Sequence, residues 1–194
     1  MTAGIDLPIG AADFEPGFFR AFLQNGFEAP DRLEPIRTLK GPLRIYLRSQ
    51  DSEGRSVDSQ AMQFAERILS ESVAIWSGGT FGITEVARGT GTREKVAGWI
   101  TVKWRSGESD RCGRSTVGVE GGYIEFNLSP ACRCGTVGPY PRLVRHELGH
   151  AMGYYHTDSV TDVMYGQPIT ADSCDLLPSD RERSHARLAY GAPR

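Results

Sequence analysis

The sequence predicts an α/β fold in which helices back a twisted mixed sheet. Three observations carry that prediction. Leu43-Arg44-Ile45-Tyr46-Leu47 alternates as a strand does, residues 58–76 repeat with helical period, and two further apolar runs at 81–86 and 96–104 read as strands. A strand, a helix and two more strands in that order suit a layered α/β arrangement.

Taken in order, residues 1–40 scatter Pro and Gly without a clean period, apart from an apolar patch at Phe18-Phe19-Arg20-Ala21-Phe22-Leu23. They are expected to form an N-terminal arm that packs on the main body, or the remnant of a longer N-terminal region, with the main domain at 41–194. Gly41-Pro42 punctuates the chain before the first strand. A turn is expected from Asp51 to Arg55. Asp58 then suits a helix N-cap, with Val57 and Met62 placed as a hydrophobic staple. Ala61, Phe64, Ala65, Ile68, Leu69, Ser72, Ile75 and Trp76 supply one buried stripe, and Gly78-Gly79 ends the helix. This helix reads as core cover, not as a binding surface. The Gly-rich, charged stretch 106–122 reads as a long surface loop. In residues 123–128, Tyr123, Glu125 and Asn127 face one way and Ile124, Phe126 and Leu128 the other, which suits an edge strand with one wet face.

Composition narrows the function. Hydrophobic residues make up 39% and charged residues 24% of the 194, ordinary for a globular chain of one domain. The net charge of −2 offers no electrostatic case for nucleic acid, and no apolar run is long enough to span a bilayer. The first residues lack a charged and then apolar signal pattern, so either the protein is intracellular or a signal is removed before residue 1. Four cysteines tilt this toward an extracellular or periplasmic setting with two disulfides. Cys132 and Cys134 stand too close to pair with each other, so each is expected to join Cys112 or Cys174, in either combination. Four free thiols and a zinc held by four thiolates are the rival readings; the spacing lacks paired C-x-x-C knuckles.

The chemistry is concentrated at His146-Glu147-Leu148-Gly149-His150-Ala151-Met152-Gly153-Tyr154-Tyr155-His156. Pro141 suits the first turn of a helix, and Leu143, Val144, Leu148, Ala151 and Met152 supply its apolar side. At 3.6 residues per turn His146 and His150 share one face and can bind a single tetrahedral Zn²⁺. Glu147 stands beside that face, where a general base can take a proton from the attacking water. Gly153 can take the left-handed conformation that turns the chain back, bringing His156 round as a third ligand. Three protein ligands leave a fourth position open, the mark of a catalytic site. The chain has four histidines, and three of them fall within this stretch, which argues against chance.

His146-Glu147-x-x-His150-x-x-Gly153-x-x-His156 resembles the extended zinc signature of the metzincins. That resemblance implies a Met-turn beneath the metal, and Asp162-Val163-Met164-Tyr165-Gly166 follows at a fitting distance, with Met164 as its structural methionine. Within the clan the chain is most similar to the matrixins, whose catalytic domain closes with a helix ending Tyr-Gly. Here that helix runs from Pro178-Ser179 to Tyr190-Gly191, and Ser179 with Glu182 forms a capping box. The likeness covers about residues 42–191. Thr157 stands where matrixins usually have Ser. Tyr165 follows Met164 directly, so it is not assigned as a ligand. His185 is read as a surface residue, which leaves no histidines for a second zinc, and no cysteine precedes Cys112 to act as a latency switch.

The resemblance implies a metzincin-type zincin fold: a mixed sheet with an antiparallel edge strand, a backing helix, an active-site helix and a small C-terminal subdomain. The edge strand, placed at 121–127, would pair with an extended polypeptide substrate, giving Tyr123 and Glu125 substrate contacts. Tyr165, Gly166 and Gln167 would lie near the pocket for the side chain after the scissile bond. The implied activity is a zinc-dependent endopeptidase with one catalytic Zn²⁺ and Glu147 as base, acting as a monomer. The acidic loop residues form no recognisable calcium loop, so calcium is unsupported. The alternatives are a catalytically silent zinc-bearing binding module and a zinc amidase acting on a non-protein amide.

Overall fold

The computed structural model describes residues 14–107, 111–166 and 173–191. Along them run α1 (Pro16–Gln24), β1 (Leu43–Arg48), α2 (Ser59–Trp76), β2 (Ile83–Gly89), β3 (Trp99–Arg105), β4 (Gly113–Ser115), β5 (Tyr123–Asn127), α3 (Pro141–Ala151) and α4 (Asp180–Gly191). The strands form one mixed sheet in the order β2-β1-β3-β5-β4. Neighbours are parallel except β4 and β5, which are antiparallel. The α/β class with an antiparallel edge pair is as the sequence predicts.

Alternation sends one face of the sheet to the helices. Ile45, Leu47, Ile100, Val102, Trp104, Ile124 and Phe126 are buried in a core shared with Ile68, Leu69 and Trp76 of α2 and Val144 and Leu148 of α3. The opposite face is covered by its own side chains. The Arg44 guanidinium lies 4.8 Å from the Trp99 ring and that of Arg93 lies 5.0 Å from the Tyr46 ring. Helix α2 starts as its sequence indicates, with the Asp58 carboxylate accepting from the Gln60 N–H at 2.7 Å. Its buried stripe is displaced slightly, since Val73 is fully buried whereas Phe64 and Ile75 are only half-buried. Gly78 (φ 60°) and Gly79 (φ 83°) end it.

Strand boundaries shift from the sequence reading for local reasons. Val96 is exposed and the chain turns through Gly98 (φ 75°), so β3 begins at Trp99 rather than at 96. The larger correction concerns the edge. Stretch 106–122 is not wholly loop: it contains β4, which pairs with β5 in the register Gly113↔Phe126, Arg114↔Glu125 and Ser115↔Ile124. Strand β5 is therefore an inner strand, bonded on its other side to β3, and the edge assigned to 121–127 belongs to β4. Tyr123 and Glu125 stand on the face turned away from the helices, where Lys103 Nζ sits 3.4 Å from the Tyr123 ring centroid and Arg114 Nε donates to Glu125 at 2.9 Å.

The N-terminal patch forms α1, whose Phe18, Phe22 and Leu23 are buried in the same core. Phe22 stacks on Tyr154 at 4.3 Å, nearly parallel, which fastens α1 to the chain just beyond α3. His185 is buried, not at the surface. Its Nδ1 donates to the Arg181 carbonyl at 2.8 Å, and Phe14, Phe18 and Phe19 pack round its ring. The cysteines pair Cys112–Cys132 and Cys134–Cys174. Among the described residues no helix is long and apolar enough to cross a membrane.

Candidate metal centre

Pro141 opens α3, and the helix carries His146 and His150 on one face while Leu143, Val144 and Leu148 enter the core. Gly153 turns the chain at φ 105°, and a Cβ there would collide with the Arg37 carbonyl oxygen. Both facts require glycine. The turn returns His156 to the helix, and its Nε2 lies 3.1 Å from His150 Nε2 and 3.3 Å from His146 Nε2. These three histidines form a group able to hold a metal ion.

The opposite ring nitrogens say what those Nε2 atoms can do. His146 Nδ1 faces the Val163 carbonyl at 2.8 Å, His150 Nδ1 the Tyr154 carbonyl at 2.8 Å, and His156 Nδ1 the Glu28 carboxylate at 2.6 Å. Each partner is an acceptor, so each Nδ1 carries the proton, and in the neutral ring each Nε2 presents a lone pair. Burial, reinforced by His156, pushes His146 down to about 4, and burial with its two neighbours holds His150 well below the ordinary range, so both rings are neutral at pH 7. Three converging lone pairs repel one another unless they share a cation. Tetrahedral zinc with Zn–N bonds of about 2.0–2.1 Å would space its nitrogens about 3.3–3.4 Å apart. The observed spacing fits that ion.

Glu147 lies beside the cluster, 4% exposed. Its Oε2 has no hydrogen-bond partner among the described residues, and burial pushes the carboxyl up to about 8. The edge strand lies against it: a Cβ on Gly113 would stand 2.5 Å from Glu147 Oε1. Met164 is fully buried, and its sulfur fills the space where a Cβ on Gly149 would go, placing it against α3 at that residue.

The Met-containing turn is held by α4. Glu182 accepts from the N–H groups of Val163 at 3.0 Å, Met164 at 2.8 Å and Ser179 at 2.7 Å. The last of these, with Ser179 Oγ accepting from the Glu182 N–H at 3.3 Å, completes the expected capping box. Thr157 donates to Asp162 at 2.8 Å, and its N–H bonds the Met164 carbonyl, closing the loop between the third histidine and that turn.

Of the other residues named from sequence, Gly166 reaches the site, since a Cβ there would meet the His156 ring at 2.9 Å. Tyr165 bridges to Thr157 next to it, Tyr123 and Glu125 stand on the outer face of the sheet, and Gln167 lies outside the described residues. Sequence reasoning missed Glu28 and Gly113. Nothing local marks either one, because both act through contacts distant along the chain.

The fold is one that a metalloproteinase uses. The chain is similar to the crystal structure of metalloproteinase-II from Bacteroides fragilis, with a TM-score of 0.52 over 79% of this chain at 13% identity. It spans about half, 54%, of that protein's chain. No protein-family model matches the sequence, and no curated protein does.

Proposed function

We infer that this chain is a zinc-dependent endopeptidase of the metzincin type, matrixin-like in its closing helix, cutting extended polypeptides outside the cytoplasm. The observation that carries the reading is the convergence of three imidazoles, with Nε2 spacings of 3.1 and 3.3 Å, beside a buried carboxyl group that has an unpartnered oxygen. A purely structural metal site has no use for that carboxylate. His146, His150 and His156 would hold the ion. When bound there, Zn²⁺ polarises a carbonyl oxygen and lowers the pKa of water.

The chain's own residues supply the remainder. Glu147 takes the proton of the attacking water and passes it to the leaving amine nitrogen. Met164 and the Glu182-braced turn keep His146 and its carbonyl partner in place. Backbone groups on the open side of β4 can pair with an extended peptide as one further strand. The Thr116 N–H and Cys112 carbonyl bond inward to β5, so by alternation Gly113 and Ser115 point their N–H and C=O outward. The substrate strand therefore runs beside Glu147. The two disulfides support an oxidising compartment.

The test is peptide hydrolysis with zinc quantified on the same sample, comparing the native chain with Glu147→Ala. One zinc per chain in both, with cleavage by the native protein alone, is the expected result. Stoichiometric zinc with no cleavage across a broad peptide library would sink the endopeptidase reading in favour of a binding module or a non-peptide amidase.

A further inference from the structure

Two of the three histidines are oriented by main-chain carbonyls, of Val163 and Tyr154, which every sequence would supply at those positions. His156 differs. Its Nδ1 meets a side-chain carboxylate, Glu28 Oε1, at 2.6 Å, from a turn 128 residues upstream. That turn is built for the purpose of holding its place. The helix α1 ends in Asn25 with φ 59°, the Gly26 N–H bonds the Arg20 carbonyl, the Ala29 N–H bonds the Asn25 carbonyl, and the Glu34 N–H bonds the Gln24 carbonyl. Phe22 anchors the helix on Tyr154, and the Tyr155 N–H bonds the Phe22 carbonyl, one residue before His156. The Glu28 side chain remains 51% exposed, so a flexible carboxylate is held on the ring by this geometry and not by packing round it.

We propose that Glu28 is a positioning residue for the metal centre, fixing the tautomer and direction of His156 and strengthening its Nε2 as a ligand. The inference rests on the zinc reading above. A carboxylate on the far nitrogen of a ligand imidazole orients the ring and raises its basicity, and loss of such a partner typically weakens metal binding about 10–100-fold. The centre's affinity is thereby tied to docking of the N-terminal segment, because α1 carries the turn that presents Glu28.

The experiment is a zinc titration against a competing chelator, with no substrate present, on wild type, Glu28→Ala, Glu28→Gln, His156→Ala and the double variant Glu28→Ala/His156→Ala. Glu28→Ala is expected to weaken zinc binding about tenfold or more. Glu28→Gln, whose amide oxygen can still accept from Nδ1 without the charge, should lose about threefold. The metal-free proteins should melt within about 1 °C of wild type, as exposed side chains allow. In the His156→Ala background, removing Glu28 should change nothing. Wild-type affinity in Glu28→Ala overturns the proposal, as does an equal loss in both backgrounds, which would mean that Glu28 does not act through His156. If alanine fails to fold, glutamine carries the test, and unchanged affinity there overturns it. A wild-type chain that binds no zinc sinks the metalloenzyme reading itself and this inference with it, an outcome distinct from a change confined to the Glu28 variants.

Discussion

Glu147 keeps a carboxyl in a buried place where nothing among the described residues satisfies its second oxygen, and that arrangement costs stability. Its folded-state pKa of about 8 lies above the ordinary 4.5, so between those values the folded chain holds a proton that the unfolded chain has released. The contribution of Glu147 to the stability of the metal-free protein therefore falls as pH rises through that window, with the full penalty present above about 8. Below about 6.5 the depressed His146 and His150 act in the opposite sense, and Glu182, raised to about 7, acts in the same sense as Glu147. Melting curves of chelator-treated protein from pH 7 to 9, above the range in which the histidines titrate, should show this slope, and Glu147→Gln should flatten it and melt higher at pH 9. A slope unchanged in the variant would place the titrating group elsewhere. Gly113 sets the opposite limit on the same side chain. A Cβ there would stand 2.5 Å from Glu147 Oε1 and 2.8 Å from Cγ, so Gly113→Ala must push the Glu147 carboxyl, the proposed base, aside. Because misplacement by about 1 Å can cost about a hundredfold, kcat should fall at least tenfold while zinc affinity stays at the wild-type level. Equal losses in both would point to a general distortion of the site.

At the scale of elements, β4 is the short strand on which the proposed substrate pairing depends. Ser115→Pro removes an N–H that points away from the sheet, which an edge strand tolerates. KM for an extended peptide should rise about tenfold, with the melting temperature nearly unchanged. An unaltered KM would mean that the peptide does not use this edge. The sequence announced some elements and hid others for physical reasons. Helices α2 and α3 are legible because period, cap and terminal glycine are local signals, and Ser179 with Glu182 marks the start of α4 in the same way. β4 is not legible. Its three residues, Gly-Arg-Ser, carry no alternation, and their strand conformation comes from pairing with β5. That omission moved the predicted edge inward by one strand. The cluster of three histidines that could hold a metal was readable because helix and turn geometry bring it together within eleven residues, from His146 to His156. Glu28 and His185 were not, because their environments are made by segments that meet only in the fold.

Across the whole molecule, the covalent links sit round the site. Cys112 directly precedes β4 and joins Cys132, while Cys134 joins Cys174 in the segment before α4. Their sequence separations of 20 and 40 correspond, on a chain-entropy basis, to about 3 and 4 kcal/mol. Reduction should lower the melting temperature by at least about 10 °C, measured with and without a thiol reductant at one pH. A shift of only a degree or two would mean that the native contacts suffice without the bridges. The contact between α1 and α4 has a consequence for how the protein is made. The Glu15 N–H reaches the His185 ring across 170 residues, and the Leu39 N–H bonds the Tyr190 hydroxyl across 151. Helix α1 precedes α4 in the sequence, so its seat on Tyr154 can form first, whereas the contacts with His185 and Tyr190 await α4. The turn that presents Glu28 to His156 is therefore fully seated only when segments from both ends of the described fold are present together.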